Sequence, residues 1–85
     1  MPKTSQTMPP PADQTLDITR EVCPMTFVRT RLALERMAPG KTLLVLLRGE
    51  EPRRNVPASA RALGHEVLAE EDGEDGVRRL WLVRS

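Results

Sequence analysis

One cysteine, Cys23, stands directly before a proline in Arg20-Glu21-Val22-Cys23-Pro24-Met25-Thr26. A thiol titrates at about 8.5, so little of it is thiolate near neutral pH. Proline is favoured at the first helical position, where a missing N–H costs nothing, so Cys23-Pro24 predicts a helix opening at the cysteine. A helix N-terminus carries unpaired N–H groups and a partial positive charge. A sulfur set there is stabilised as the anion, and so is the terminal sulfur of a persulfide. The dipole contributes about 0.3–1 kcal/mol at an exposed position, so it assists without deciding. Arg20 and Arg29 would add to it if their side chains turn toward the sulfur. On these residues alone two readings stand, a nucleophilic thiol and a small buried hydrophobe.

The remaining chemistry-bearing residues are sparse. His65 is the sole histidine. It lies at an expected helix-to-strand junction, which favours a structural role over a base for the thiol. One Cys and one His cannot supply a metal site, so neither a metal nor a cofactor is expected. Glu70, Glu71, Asp72, Glu74 and Asp75 form an acidic run, either a solvated hairpin or a dock for a basic partner. Arg29, Arg31 and Arg36 read either as a solubilising helix face or as contacts for an acidic partner or thiosulfate near Cys23.

Composition narrows the class further. With 85 residues the chain makes one small domain, which buries only about 60–65% of its unfolded surface and leaves no room for an enclosed pocket. Lys+Arg is 13 and Asp+Glu is 12, a net charge of +1. That balance, with one Phe, one Trp and no Tyr, argues against direct nucleic-acid binding. A lone cysteine forms no disulfide framework, which points to a reducing compartment. The first residues lack the apolar stretch of a secretory signal, and the apolar run Leu43 to Leu47 is too short to span a bilayer. A cytoplasmic protein without membrane association is expected.

The elements that must position Cys23 follow from periodicity. Residues 1–14, with Pro9-Pro10-Pro11, read as a disordered tail, and 15–85 as the single domain. Thr15 to Thr19 alternates like a short strand. A helix is expected from Cys23 to about Ala38, with Met25, Val28 and Leu32 on one apolar stripe and Phe27, Leu34 and Met37 beside it. Pro39-Gly40 stops it. Thr42 to Leu47 is apolar on both faces and reads as a central strand. Arg48 to Arg54 reads as a charged loop. Asn55 is the expected cap of a second helix, with Pro57 in its first turn and Val56, Ala60 and Leu63 buried. Gly64 ends that helix. His65 to Glu70 is a third strand, Glu71 to Gly76 an acidic turn, and Val77 to Arg84 a fourth strand.

The order β-α-β-α-β-β implies an α/β (α+β) two-layer sandwich, two helices on one face of a four-stranded mixed sheet. The sheet's other face would be uncovered. The strands carry too many apolar residues to aim them all at the helices, so that face is either a partner surface, including a weak dimer, or a partly exposed sheet softened by arginines.

The stretch LDITREVCPMTFVRTRLALERMAPGKTLLVLL, followed by NVP and GHEVL, resembles the TusA/SirA-like sulfur-carrier family. The family pattern runs Leu-Asp, a glycine loop, Cys-Pro-x-Pro, a helix, Pro-Gly, an apolar strand, Asp-Ile-Pro and Gly-His. The match runs from Leu16 to about Leu68. The resemblance implies a βαβαββ sandwich and a sulfurtransferase role. Cys23 would accept sulfane sulfur as a persulfide and relay it, in tRNA thiolation, molybdenum-cofactor work or sulfur metabolism. It implies a donor protein of cysteine-desulfurase or rhodanese type and an acceptor protein, with Pro24 as the helix-opening proline. Three positions depart from the pattern. Arg20 replaces the loop glycine, Thr26 the second proline, and Arg48-Gly49-Glu50 the Asp-Asp-Pro loop. Thr26 could bond the backbone at the helix start or a bound sulfur group. The competing reading from a different class is a non-catalytic interaction or regulatory module on the same fold, supported by those departures.

Overall fold

The structure, a computed structural model, describes residues 11–22 and 25–85. The tail expected over residues 1–14 lies outside the described residues as far as residue 10. The elements are β1 (Gln14–Asp17), α1 (Met25–Glu35), β2 (Thr42–Arg48), α2 (Glu50–Ala62), β3 (Glu66–Asp72) and β4 (Val77–Val83). The strands form one sheet in the order β1-β2-β4-β3. β1 runs parallel to β2, and the β2/β4 and β3/β4 pairs are antiparallel. This is the expected βαβαββ sandwich with a mixed sheet, and β2 is central as its two-faced apolar pattern implied.

Strand register decides which residues meet the helices. Leu43, Val45 and Leu47 alternate inward along β2, opposite Leu82, Leu80 and Arg78 of β4. With Ile18, Leu34, Met37, Val56 and Ala60 the apolar ones among them make the core, and Leu16, Ala33 and Val67 pack against it. The other sheet face carries Leu44, Leu46 and Trp81. Trp81 stands in a cross-strand row between Leu44 and Ala69, and only 2% of it is exposed. A register shift between Val67 and Ala69 leaves Leu68 exposed.

The inner side of α1 is not the expected stripe. Met25 and Leu32 are 41% and 46% exposed, whereas Thr26 and Thr30 are each 2% exposed. The buried row is Thr26, Thr30, Leu34 and then Met37. At 3.6 residues per turn that row lies roughly half a turn from Met25, Val28 and Leu32. A threonine can occupy the interior because the Thr30 hydroxyl donates to the Thr26 carbonyl at 2.8 Å. The helix also ends before Ala38. Its last turn tightens as the Met37 amide donates to the Leu34 carbonyl at 3.1 Å, and Arg84 Nε donates to the same carbonyl at 2.8 Å.

The second helix begins five residues before Asn55. Gly49, at φ 99°, precedes Glu50 and Glu51 in the first turn, where carboxylates complement the helix dipole. Pro52 is tolerated there because first-turn N–H groups have no intrahelical acceptor. Asn55 is therefore interior, and so is Pro57. Pro57 has no N–H to offer the Arg53 carbonyl four residues back. Arg78 Nη1 donates to that carbonyl instead, at 3.4 Å. The helix closes at Gly64 as expected: the Gly64 amide donates to the Arg61 carbonyl and the His65 amide to the Ala60 carbonyl, both at 3.0 Å, a Schellman arrangement.

The acidic run is divided. Glu70, Glu71 and Asp72 belong to β3, not to the turn. Arg78 reaches Glu70 and Asp72, each at 2.8 Å, Arg53 reaches Asp72 at 3.3 Å, Arg61 reaches Glu70 at 3.7 Å, and Arg79 reaches Glu71 at 3.9 Å. Most of the negative charge is thus met within the molecule.

Candidate functional site

Cys23 and Pro24 lie outside the described residues, between the turn that follows β1 and the start of α1. The chain reaches position 23 from β1 through a turn. The Ile18 amide donates to the Leu46 carbonyl at 3.1 Å, and the Glu21 amide donates to the Ile18 carbonyl at 3.1 Å. Ile18 is part of the core, which anchors the turn to the sheet. Asp17 ties it from the other side: its Oδ1 accepts from the Thr19 amide at 3.0 Å and the Thr19 hydroxyl at 2.7 Å. The Thr19 amide and then the Thr19 hydroxyl hold the Asp17 carboxyl below its usual range, helped by Arg20 and Arg48.

Asp17 is the positioning residue that sequence reasoning passed over as an ordinary strand polar group. The signal was present in Asp17-Ile18-Thr19, a carboxylate two residues before its own backbone partner. The same turn resolves the departure at Arg20. No non-glycine residue among those described has a positive φ, so the turn needs no glycine and Arg20 fits without strain.

On the far side of Cys23-Pro24, α1 starts at Met25, whose amide donates to the Val22 carbonyl at 2.7 Å. Val22 is 72% exposed. Both flanks of Cys23-Pro24 are therefore open to solvent at the start of α1. Arg29 lies one turn along the helix and pairs with Glu21 across the turn at 3.5 Å. That contact ties α1 to the loop entering position 23. Arg20 is exposed. Thr26 faces the interior, closed off from any group arriving from solvent.

The other candidates lie apart. His65 Nδ1 accepts from the Ser85 amide at 3.1 Å, and its pKa is lowered, first by burial and then by Arg84, against an opposing pull from Glu35. Glu35 closes α1 at the end opposite Met25, and His65 sits at the α2–β3 junction. Arg31 pairs with Glu35 at 3.0 Å. Arg48, at the charge-reversed loop, donates from Nη1 to the Asp75 carbonyl at 3.1 Å and so steadies the β3–β4 turn. No described helix is long and apolar enough to cross a membrane.

Known proteins agree with this geometry. The family model described as Sulfurtransferase TusA matches residues 14–84. A protein of Archaeoglobus fulgidus named "Putative sulfur carrier protein" is 48% identical over 60 residues, 71% of this chain and 68% of the relative. One of the same name from Thermotoga maritima is 41% identical over 59 residues, 69% of this chain and 75% of the relative. Among solved structures, a SirA-like protein from Desulfitobacterium hafniense superposes with a TM-score of 0.73 at 27% identity, over 82% of this chain and 95% of the other. The chain belongs to the TusA sulfurtransferase family.

Proposed function

We propose that this chain is a sulfur carrier in which Cys23 takes up sulfane sulfur as a persulfide and relays it to a second protein. The observation that carries the reading is the family match over residues 14–84 in a chain with a single cysteine. The relatives' names support it. So does the local geometry: exposed Val22 and Met25 flank the cysteine in sequence, and α1 begins two residues past it. The free amides and positive pole of the helix are then at the cysteine's end. Pro24 directly precedes α1 in sequence, a place where a missing N–H costs nothing. Exposed Arg20 adds positive charge to the approach, while the Arg29 charge is met by Glu21.

The step is a displacement at sulfur. The Cys23 thiolate attacks the terminal sulfur of a donor persulfide, R–S–SH. One S–S bond forms to Cys23 while the donor's S–S bond breaks, R–S⁻ leaves, and Cys23–S–SH remains. No external oxidant or reductant enters. From thiosulfate the leaving group is sulfite. Delivery repeats the displacement with Cys23 as the leaving thiolate. The partners are a donor of cysteine-desulfurase or rhodanese type and an acceptor protein, and no resident cofactor is required.

Intact-mass spectrometry tests the reading. Incubation with a cysteine desulfurase and cysteine, with a rhodanese and thiosulfate, or with inorganic polysulfide should add the mass of one sulfur atom. The gain should be reversed by dithiothreitol and absent in Cys23→Ser. An unchanged mass with every donor would replace the carrier with an interaction module on the same fold.

A further inference from the structure

The exposed row of α1 lines a groove. Met25, Leu32 and Ala33 of α1, with Leu16 of β1, wall a space of about 300 Å³ flanked by Arg29 and Arg36. Through Arg36 it meets a second depression of about 230 Å³ bordered by Asp13 and Lys41. The groove follows the free side of β1, which is an edge strand paired only with β2.

Its charge is uneven. Arg36 and Lys41 make no ion pair among the described residues. Asp13, the acid nearby, accepts from the Thr42 amide through Oδ2 at 2.8 Å and keeps its charge, so Arg36 and Lys41 leave the depression with one positive charge in excess. An apolar trough ending in free cations fits an apolar side chain followed by carboxylates. Within this chain that pattern stands at exposed Leu68 before Glu70, Glu71 and Asp72. Residues 1–10 contain no Asp or Glu. The acidic β3 segment of a second copy would arrive with Glu70, Glu71 and Asp72 already paired to arginines.

We propose that the α1–β1 groove docks an extended acidic segment of the protein that exchanges sulfur with Cys23, an apolar side chain seated between Leu16 and Leu32 and carboxylates on Arg36 and Lys41. The partner assignment rests on the sulfur-carrier reading. The groove's near wall, Met25, is two residues from Cys23, so a segment bound there brings its protein to the sulfur. Met25 to Arg36 spans roughly 16 Å of helix, the length of about five extended residues. Burying threonines while leaving Met25 and Leu32 outside breaks the usual sorting of side chains, a departure expected where a surface serves binding.

The test uses the full chain and a fluorescein-labelled peptide, Asp-Glu-Leu-Val-Glu-Asp, with Lys-Lys-Leu-Val-Lys-Lys as its charge-reversed control. The acidic peptide should shift the amide resonances of Leu16, Leu32, Ala33 and Arg36, and the basic one should not. Leu32→Glu and Arg36→Glu, both at exposed positions, should each weaken binding on the order of tenfold with an unchanged melting temperature. Another depression, lined by Glu50, Arg53 and Arg54 of α2 and Arg78 of β4, is the competing site; shifts centred there, equal shifts from both peptides, or no shifts would overturn the groove. Polysulfide loading of Cys23 in the same variants, read by mass, should equal wild type. Loading without peptide binding defeats the groove alone, and peptide binding without loading defeats the carrier reading alone.

Discussion

The two ends of this small sandwich treat their polar and apolar groups in opposite ways. Around α2 and the β3–β4 hairpin, charges are answered inside the molecule. Arg78 joins Glu70, Asp72 and the Arg53 carbonyl that Pro57 leaves without an amide. Asp72 is held below its usual carboxylate range, first by its hydrogen bond to Arg78, and Arg78 is raised, first by the same bond. Around α1 the apolar sorting is reversed, although Arg29 and Arg31 keep Glu21 and Glu35 as ion partners. Hydroxyls are buried, Val22, Met25 and Leu32 are exposed, and Arg36 has no ion partner among the described residues. The first region reads as self-contained structure and the second as a surface awaiting another molecule, beside the residue that would carry sulfur.

The largest expected effect tests the orientation of α1. Leu34→Ala removes a side chain that is 1% exposed and should cost about 2–5 kcal/mol. Leu32→Ala, two residues earlier, should change stability by less than about 0.5 kcal/mol. Urea or thermal unfolding of the two variants compares one substitution on two sides of one helix. Equal costs would mean that the helix is turned as its hydrophobic pattern implied, and the groove would close with it.

A smaller effect separates the two sets of arginines. Arg78→Met should lower the melting temperature by a few degrees at low salt, because it removes the nearer ion partner of two carboxylates and the donor to a helix carbonyl. Arg36→Met should leave it unchanged. The Arg78 loss should shrink in high salt, since these pairs are near the surface and screened. An equal loss from both variants would erase the contrast between the ends.

Much of this was legible in the chain. The alternation in β1, the apolar run of β2, Gly64 as a helix stop and the hairpin before Val77 give the fold directly, because each rests on backbone geometry. The family pattern around Cys23 names the candidate thiol. What the pattern hid has physical causes. The orientation of α1 was missed because Thr30 satisfies its own hydroxyl on a carbonyl one turn back, so a polar residue takes a core position without penalty. The start of α2 was missed because Pro52 and a charged run look like a loop, although a first turn accepts both. Asp17 was overlooked because its role is local, a carboxylate gripping the next turn.

The smallest expected effect concerns His65, which meets the Ser85 amide and feels Glu35 at the last residue of α1. Its pKa is lowered from 6.5 in the folded chain, first by burial and then by Arg84. In the unfolded chain it takes up a proton near 6.5, and in the folded chain only at lower pH. Between those values the unfolded state binds more protons, so folding stability rises with pH across that window. The contribution is complete above 6.5 and is lost as pH falls through the folded value. The Ser85 amide donates to Nδ1, a contact that needs that nitrogen unprotonated. His65→Ala should lower stability slightly at neutral pH and flatten its slope just below 6.5, above the range where Asp17 and Asp72 begin to protonate. Polysulfide loading of Cys23 should be untouched by that substitution across the same window. A loading rate that followed the histidine's titration would instead make His65 the base for the thiol, and would join the two ends of the molecule that its geometry keeps apart.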